Sequence, residues 1–219
     1  MEIDHIFIFS QAQGAEADQL VDFGLTEGSY RVHPGQGTTN RKFYFENFFL
    51  EILWVHNEDE IRSSLTEPTK LWKRTQLPSD DSLRQDARFG LCLVNTVATD
   101  TIFEPSQMYQ PAFLPEGMHI DFVAHETAPH LPWTFRLPMK GNTQPKNEPL
   151  IHSNHLKRLT KTTFGGNPAH MNQEFTQQFD HSPMVNFTKH ASPYLWLEFD
   201  QHQQGKSQNF EDLGLTIFY

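Results

Sequence analysis

Short apolar runs, each interrupted by one or two polar residues, set the pattern of this chain. One reads Ile3-Asp4-His5-Ile6-Phe7-Ile8-Phe9, another Phe48-Phe49-Leu50-Glu51-Ile52-Leu53-Trp54-Val55. Both have the length and content of strands buried on both faces. His5 interrupts the first and Glu51 the second. A carboxylate inside such a run is costly to bury unless something compensates it. A metal ion or a positive partner would do so, with His5 as co-ligand.

Between these runs the pattern predicts a helix near Ala15–Phe23, with Leu20, Val21 and Phe23 on its apolar side and Gly24 as its stop. Residues 25–40 are turn-rich. Strands at Lys42–Glu46 and Phe49–Val55 form an antiparallel hairpin turning at Asn47. Residues 57–88 read as polar helical pieces anchored by Ile61, Leu65, Leu71 and Trp72, with a loop at Pro78–Ser82. Strands follow at Phe89–Val94, His119–His125 and Trp133–Leu137, and Gly141–Pro149 reads as a linker. From Leu159 the opening order returns. A strand at Leu159–Phe164 leads through Gly165-Gly166-Asn167-Pro168 to a helix at Ala169–Phe179. Strands at Met184–Thr188, Tyr194–Asp200 and Leu213–Tyr219 complete it. A strand and a helix followed by further strands thus occur twice, in residues 1–56 and 151–219, around an inserted middle segment, 57–150.

Composition narrows the classes. The 219 residues include 19 phenylalanines and 4 tryptophans, which favours a folded chain with an aromatic core. A net charge of −10 without a basic block speaks against nucleic acid and anionic membrane surfaces as partners. No uncharged apolar stretch is long enough to span a bilayer. The opening residues carry no basic stretch followed by an apolar one, so a cytoplasmic setting is expected. Cys92 is the single cysteine; no intrachain disulfide forms, and its apolar run predicts a buried, inert thiol.

The residues Ile3-Asp4-His5-Ile6, His33-Pro34-Gly35-Gln36-Gly37-Thr38, Arg41–Phe45 and Glu46–Val55 resemble the vicinal oxygen chelate superfamily, and within it the glyoxalase-like domain proteins. The resemblance implies an α+β fold of paired βαβββ modules forming a cupped, barrel-like mixed sheet. It implies metal ligands early in the first strand and in the fourth strand of a module, here His5 and Glu51, with Glu51 as the catalytic candidate. A zinc, manganese, nickel or iron ion would polarise neighbouring substrate oxygens for lyase, isomerase or dioxygenase chemistry, with no organic cofactor. The second module's corresponding positions are Thr160 and Thr216, neither a usual ligand for such a metal. A metal-free protein that binds or sequesters a small compound is therefore the alternative. Dimerisation is common in the family, and the sequence leaves it open.

Other candidates surround this pair. Arg41 and Arg31 would place positive charge at a pocket mouth, and His152 would form a pocket wall. His119, Asp121 and His125 share one strand face, where they either offer a further ligand or face solvent. Glu198 fits an exposed strand face equally well. The Gly35-Gln36-Gly37-Thr38 loop opens into a strand and not a helix, so a turn near the pocket suits it better than a phosphate cradle.

Overall fold

A computed structural model describes residues 1–76, 86–141, 147–171 and 173–219. The predicted loop at 78–82 lies outside them. The architecture is α+β, a curled mixed sheet of eight strands backed by a second sheet of five. The first sheet holds β1 (Ile3–Phe9), β2 (Val32–His33), β3 (Thr38–Tyr44), β4 (Phe49–Val55), β5 (Phe89–Leu93), β6 (Gln107–Tyr109), β7 (Ile120–Val123) and β8 (Trp133–Arg136). The second holds β9 (Leu159–Gly166), β10 (Val185–Lys189), β11 (Tyr194–Phe199), β12 (Ser207–Phe210) and β13 (Leu215–Phe218).

The first sheet runs β2-β3-β4-β1-β5-β8-β7-β6. Its two halves mirror each other about β1 and β5, which pair antiparallel. In each half the first strand pairs parallel with the last, β1 with β4 and β5 with β8. The partner of the first module within the cup is therefore residues 89–136. This corrects the expected pairing of 1–56 with 151–219 around an insertion: the middle segment builds the other half of the cup. Residues 159–218 form the second sheet, ordered β10-β9-β11-β13-β12. It repeats the same plan in reduced form, with β9 and β11 antiparallel at its centre and parallel partners β10 and β13 outside them.

Alternation along the strands divides the side chains between two cores. Ile6, Ile8, Leu50, Ile52, Leu91 and Leu93 point to the rear of the cup and pack with Phe164, Leu195, Leu197 and Ile217 of the second sheet. Phe7, Leu53, Cys92, Ile120, Trp133 and Phe135 point into the cup, where Ile61 and Leu71 from the 57–76 connection close over them. The helices are short. The predicted helix near Ala15–Phe23 is a 3-10 turn, Ala15–Ala17, running into Asp18–Asp22, and Gly24 ends it at φ 107°. No helix among the described residues is long and apolar enough to cross a membrane.

Candidate functional site

His5 and Glu51 meet inside the cup. On β1 His5, Phe7 and Phe9 face inward, and Phe7 pairs with Glu51 while His5 pairs with Phe49. Glu51 is thus one step diagonal to His5 on the adjacent strand. Their facing atoms, His5 Nε2 and Glu51 Oε2, stand 3.8 Å apart, and both side chains are buried. They lie on the wall of a cavity of about 140 Å³ lined also by Phe7, Arg31, His33, Gln36, Asn40, Lys42, Phe49, Phe113, Trp133 and Phe135.

Neighbours fix the orientation of both groups. Asp4 Oδ1 lies 2.6 Å from His5 Nδ1. Adjacent strand residues normally face opposite ways, but the β1–β5 register shifts by one between Ile3 and His5. Such a shift re-aims side chains, and here the Asp4 carboxylate reaches the ring beside it. Asn40 donates through Nδ2 to Glu51 Oε1, while its Oδ1 accepts the Arg31 backbone N–H at 2.7 Å. His5 stacks on Phe49 with centroids 4.4 Å apart and meets Phe135 edge-on at 5.2 Å.

Three charged side chains line the cavity among the described residues: Arg31, Lys42 and Glu51. Lys42 sits opposite Glu51 in the β3–β4 register, but its Nζ lies over the Tyr44 and Phe49 rings, 5.4 and 5.9 Å from their centroids. Arg31 lies at the rim over Phe113. His33 has its pKa lowered, first by burial; the Glu51 charge opposes this, and Arg31, Lys42 and His5 add to it. The Gly35-Gln36-Gly37-Thr38 segment is a turn at the cavity, with Gly35 and Gly37 at positive φ and Gln36 on the lining.

Among the described residues the other half of the cup offers no matching donors. Ile6 pairs with Leu91, Phe7 with Gly90 and His5 with Cys92, so symmetry about the Ile6–Leu91 pair matches His5 to Gly90 and Phe7 to Cys92. Since Glu51 pairs with Phe7 and Phe135 with Cys92, Phe135 stands where Glu51 would be. Thr160 and Thr216 belong to the second sheet and are not counterparts of the pair. One further buried cluster, Asp4, His5 and Cys92, brings potential ligand atoms within 4.8 Å of one another. Burial raises the Cys92 thiol pKa well above its usual value.

The remaining candidates sit elsewhere. Arg41 falls between the inward-facing Asn40 and Lys42, so alternation turns it away from the cavity. It pairs with Asp18 and Glu27, each at 2.7 Å, and these partners raise its pKa. His152 is a structural clamp: Nδ1 accepts the Thr26 backbone N–H at 3.0 Å and Nε2 lies 2.9 Å from the Tyr44 carbonyl. His119 is exposed beside Asp121, whose partner is Arg136. His125 is held within 3.3 Å of Thr134 Oγ1, and burial pushes its pKa down to about 3. Asp4, Asn40 and Lys42 had no mark in the sequence beyond their nearness to His5 and Arg41. Strand parity would have found Asn40 and Lys42.

No protein-family model matches the sequence, nor does any curated protein. Among solved structures the fold is similar to a hypothetical protein from Staphylococcus aureus, with a TM-score of 0.53 and 11% identity over 99% of this chain and 98% of that one. A hypothetical protein from Bacillus halodurans C-125 matches 67% of this chain and 98% of its own, with a TM-score of 0.40 and 16% identity. A xylose isomerase-like TIM barrel/4-hydroxyphenylpyruvate dioxygenase fusion protein matches 90% of this chain and 36% of its own, with a TM-score of 0.48 and 8% identity. The first of these likenesses establishes a shared fold and nothing about activity.

Proposed function

We propose that the chain is a small-molecule protein of the vicinal oxygen chelate type, with its working site in the cup at His5 and Glu51. The observation that carries this reading is the cavity itself. A buried, oriented imidazole–carboxylate pair and two cationic side chains lie on an otherwise largely apolar wall, in a chain of net charge −10. A mostly apolar cavity with a few converging polar groups is the usual form of a ligand site.

A divalent ion fits only one side of this site. His5 Nε2 and Glu51 Oε2 would hold it, with Asp4 and Asn40 orienting them as outer partners do at metal sites. Gly90 and Phe135 offer nothing from the other half. When bound, such an ion would polarise substrate oxygens and lower the pKa of an attached group. The chain's own residues do the rest. Arg31 and Lys42 attract an anionic ligand, the rings exclude water, and without an ion Glu51 Oε2 would accept a proton from the ligand. Lyase, isomerase and dioxygenase chemistry are all compatible with the fold.

The missing donors favour a second reading, a metal-free protein that binds or sequesters its ligand. Metal content measured on wild type, His5→Ala and Glu51→Ala separates the two. Stoichiometric metal lost in both variants supports the enzyme. Metal-free protein whose melting temperature rises with small anionic compounds, unchanged by chelator, supports the binding protein. If no such compound shifts the melt and no metal binds after reconstitution, the cavity reading fails.

A further inference from the structure

Resting on that reading of the cavity, we propose that its ligand is a free amino acid with an apolar side chain. Its ammonium group seats between His5 Nε2 and Glu51 Oε2, and its carboxylate faces Arg31 and Lys42. Asp4 Oδ1 lies 2.6 Å from His5 Nδ1, and a carboxylate accepts, so Nδ1 donates. Glu51 Oε1 is taken by Asn40, while Oε2 has no hydrogen-bond partner among the described residues. His5 Nε2 and Glu51 Oε2 face one another across 3.8 Å, beyond hydrogen-bond length but close enough for one ligand nitrogen to reach both. A carboxylate oxygen accepts, so the group that satisfies Oε2 is a donor, and beside a buried carboxylate a charged donor is favoured.

The walls suit an organic cation better than a metal ion. Phe49 and Phe135 flank the pair, and aromatic faces and carboxylates together hold ammonium groups. Phe135 and Gly90 occupy the places where further metal donors would stand. Lys42, drawn over the Tyr44 and Phe49 rings, leaves Oε2 open. Two cations and one carboxylate on the lining complement a molecule that is itself dipolar. The cavity, about 140 Å³, is close to the ~150 Å³ that accommodates benzene, so a ring-sized or smaller apolar body fits.

Isothermal titration of the full chain in chelator with the twenty free amino acids tests this. Each binder is compared with its deaminated acid and its decarboxylated amine. The expected result is at least one apolar amino acid bound ten-fold or more tighter than either truncated analogue. Glu51→Gln should erase the preference for the amine, and Arg31→Gln should narrow the preference for the carboxylate. If a variant does not fold, the ranking of the three compounds on wild type decides alone. Equal or tighter binding of the deaminated acid overturns the ammonium assignment and leaves the cavity's ligand role standing. Binding that requires added zinc or manganese also overturns it, returning the position to a metal. Binding of other anionic compounds but of none of the twenty overturns the amino-acid assignment without touching the cavity reading.

Discussion

Gly90 and the ring of Phe7 share one space across the β1–β5 seam. A Cβ at position 90 would stand 2.0 Å from Phe7 Cε1 and 2.3 Å from Cζ. The seam where the two halves of the cup meet therefore closes only because position 90 has no side chain. Gly90→Ala should cost about 2–3 kcal/mol, the scale of overpacking a tight core. Phe7→Leu in the same chain should recover part of that loss, because the two residues compete for one volume. Urea midpoints of the single and double variants check it; strictly additive losses would contradict it.

Asn40 joins the rim of the cavity to its base, accepting from the Arg31 N–H and donating to Glu51. Asn40→Leu should destabilise by roughly 1–3 kcal/mol, since it strands a backbone donor and a buried carboxylate together. Any ligand of the cup should bind more weakly as well, because Glu51 loses its anchor. Calorimetric melts and a binding titration read the two effects separately.

Arg41 and His152 should prove silent in binding. Arg41→Gln removes partly exposed ion pairs and should change stability by less than about 1 kcal/mol. His152→Ala breaks two hydrogen bonds and the packing on Phe45, and should cost about 2–4 kcal/mol. Neither should alter affinity for a cavity ligand; a ten-fold loss with either would place that residue back at the site.

Stability should fall with acid below neutrality. Burial pushes the pKa of His125 down to about 3 and that of His130 to about 4. In the unfolded chain both take up a proton near pH 6.5. Between those values the unfolded state binds more protons, so stability rises with pH through this window and is lost as pH drops through it. His125→Asn keeps a residue that tolerates the φ of 55° at that position and removes the titration. Its urea midpoint should be less pH-dependent than that of wild type between pH 4 and 7.

The half of the site on β1 and β4 was legible because His5 and Glu51 stand on otherwise apolar strand faces. The other half left no such mark, since Gly90 and Phe135 continue the apolar pattern. The middle segment's module was harder still to read. Its outer strand, Gln107–Tyr109, has three residues and its helix, Asp100–Phe103, four, too few to show a period. The strand Ser207–Phe210 was missed because it is a polar edge strand, exposed at three of four positions. Asp4 escaped notice because strand alternation points it away from His5, and only the register shift after Ile3 brings them together.

The second sheet gives the chain a property that neither sheet has alone, indivisibility. Ile6, Ile8, Leu50, Ile52, Leu91 and Leu93 form the rear of the cup and are dry only while β9, β11 and β13 cover them. The cavity lining is complete by Leu137, yet a fragment ending there would present a broad hydrophobic wall to water and associate through it. The cup and the sheet behind it are therefore one folding unit.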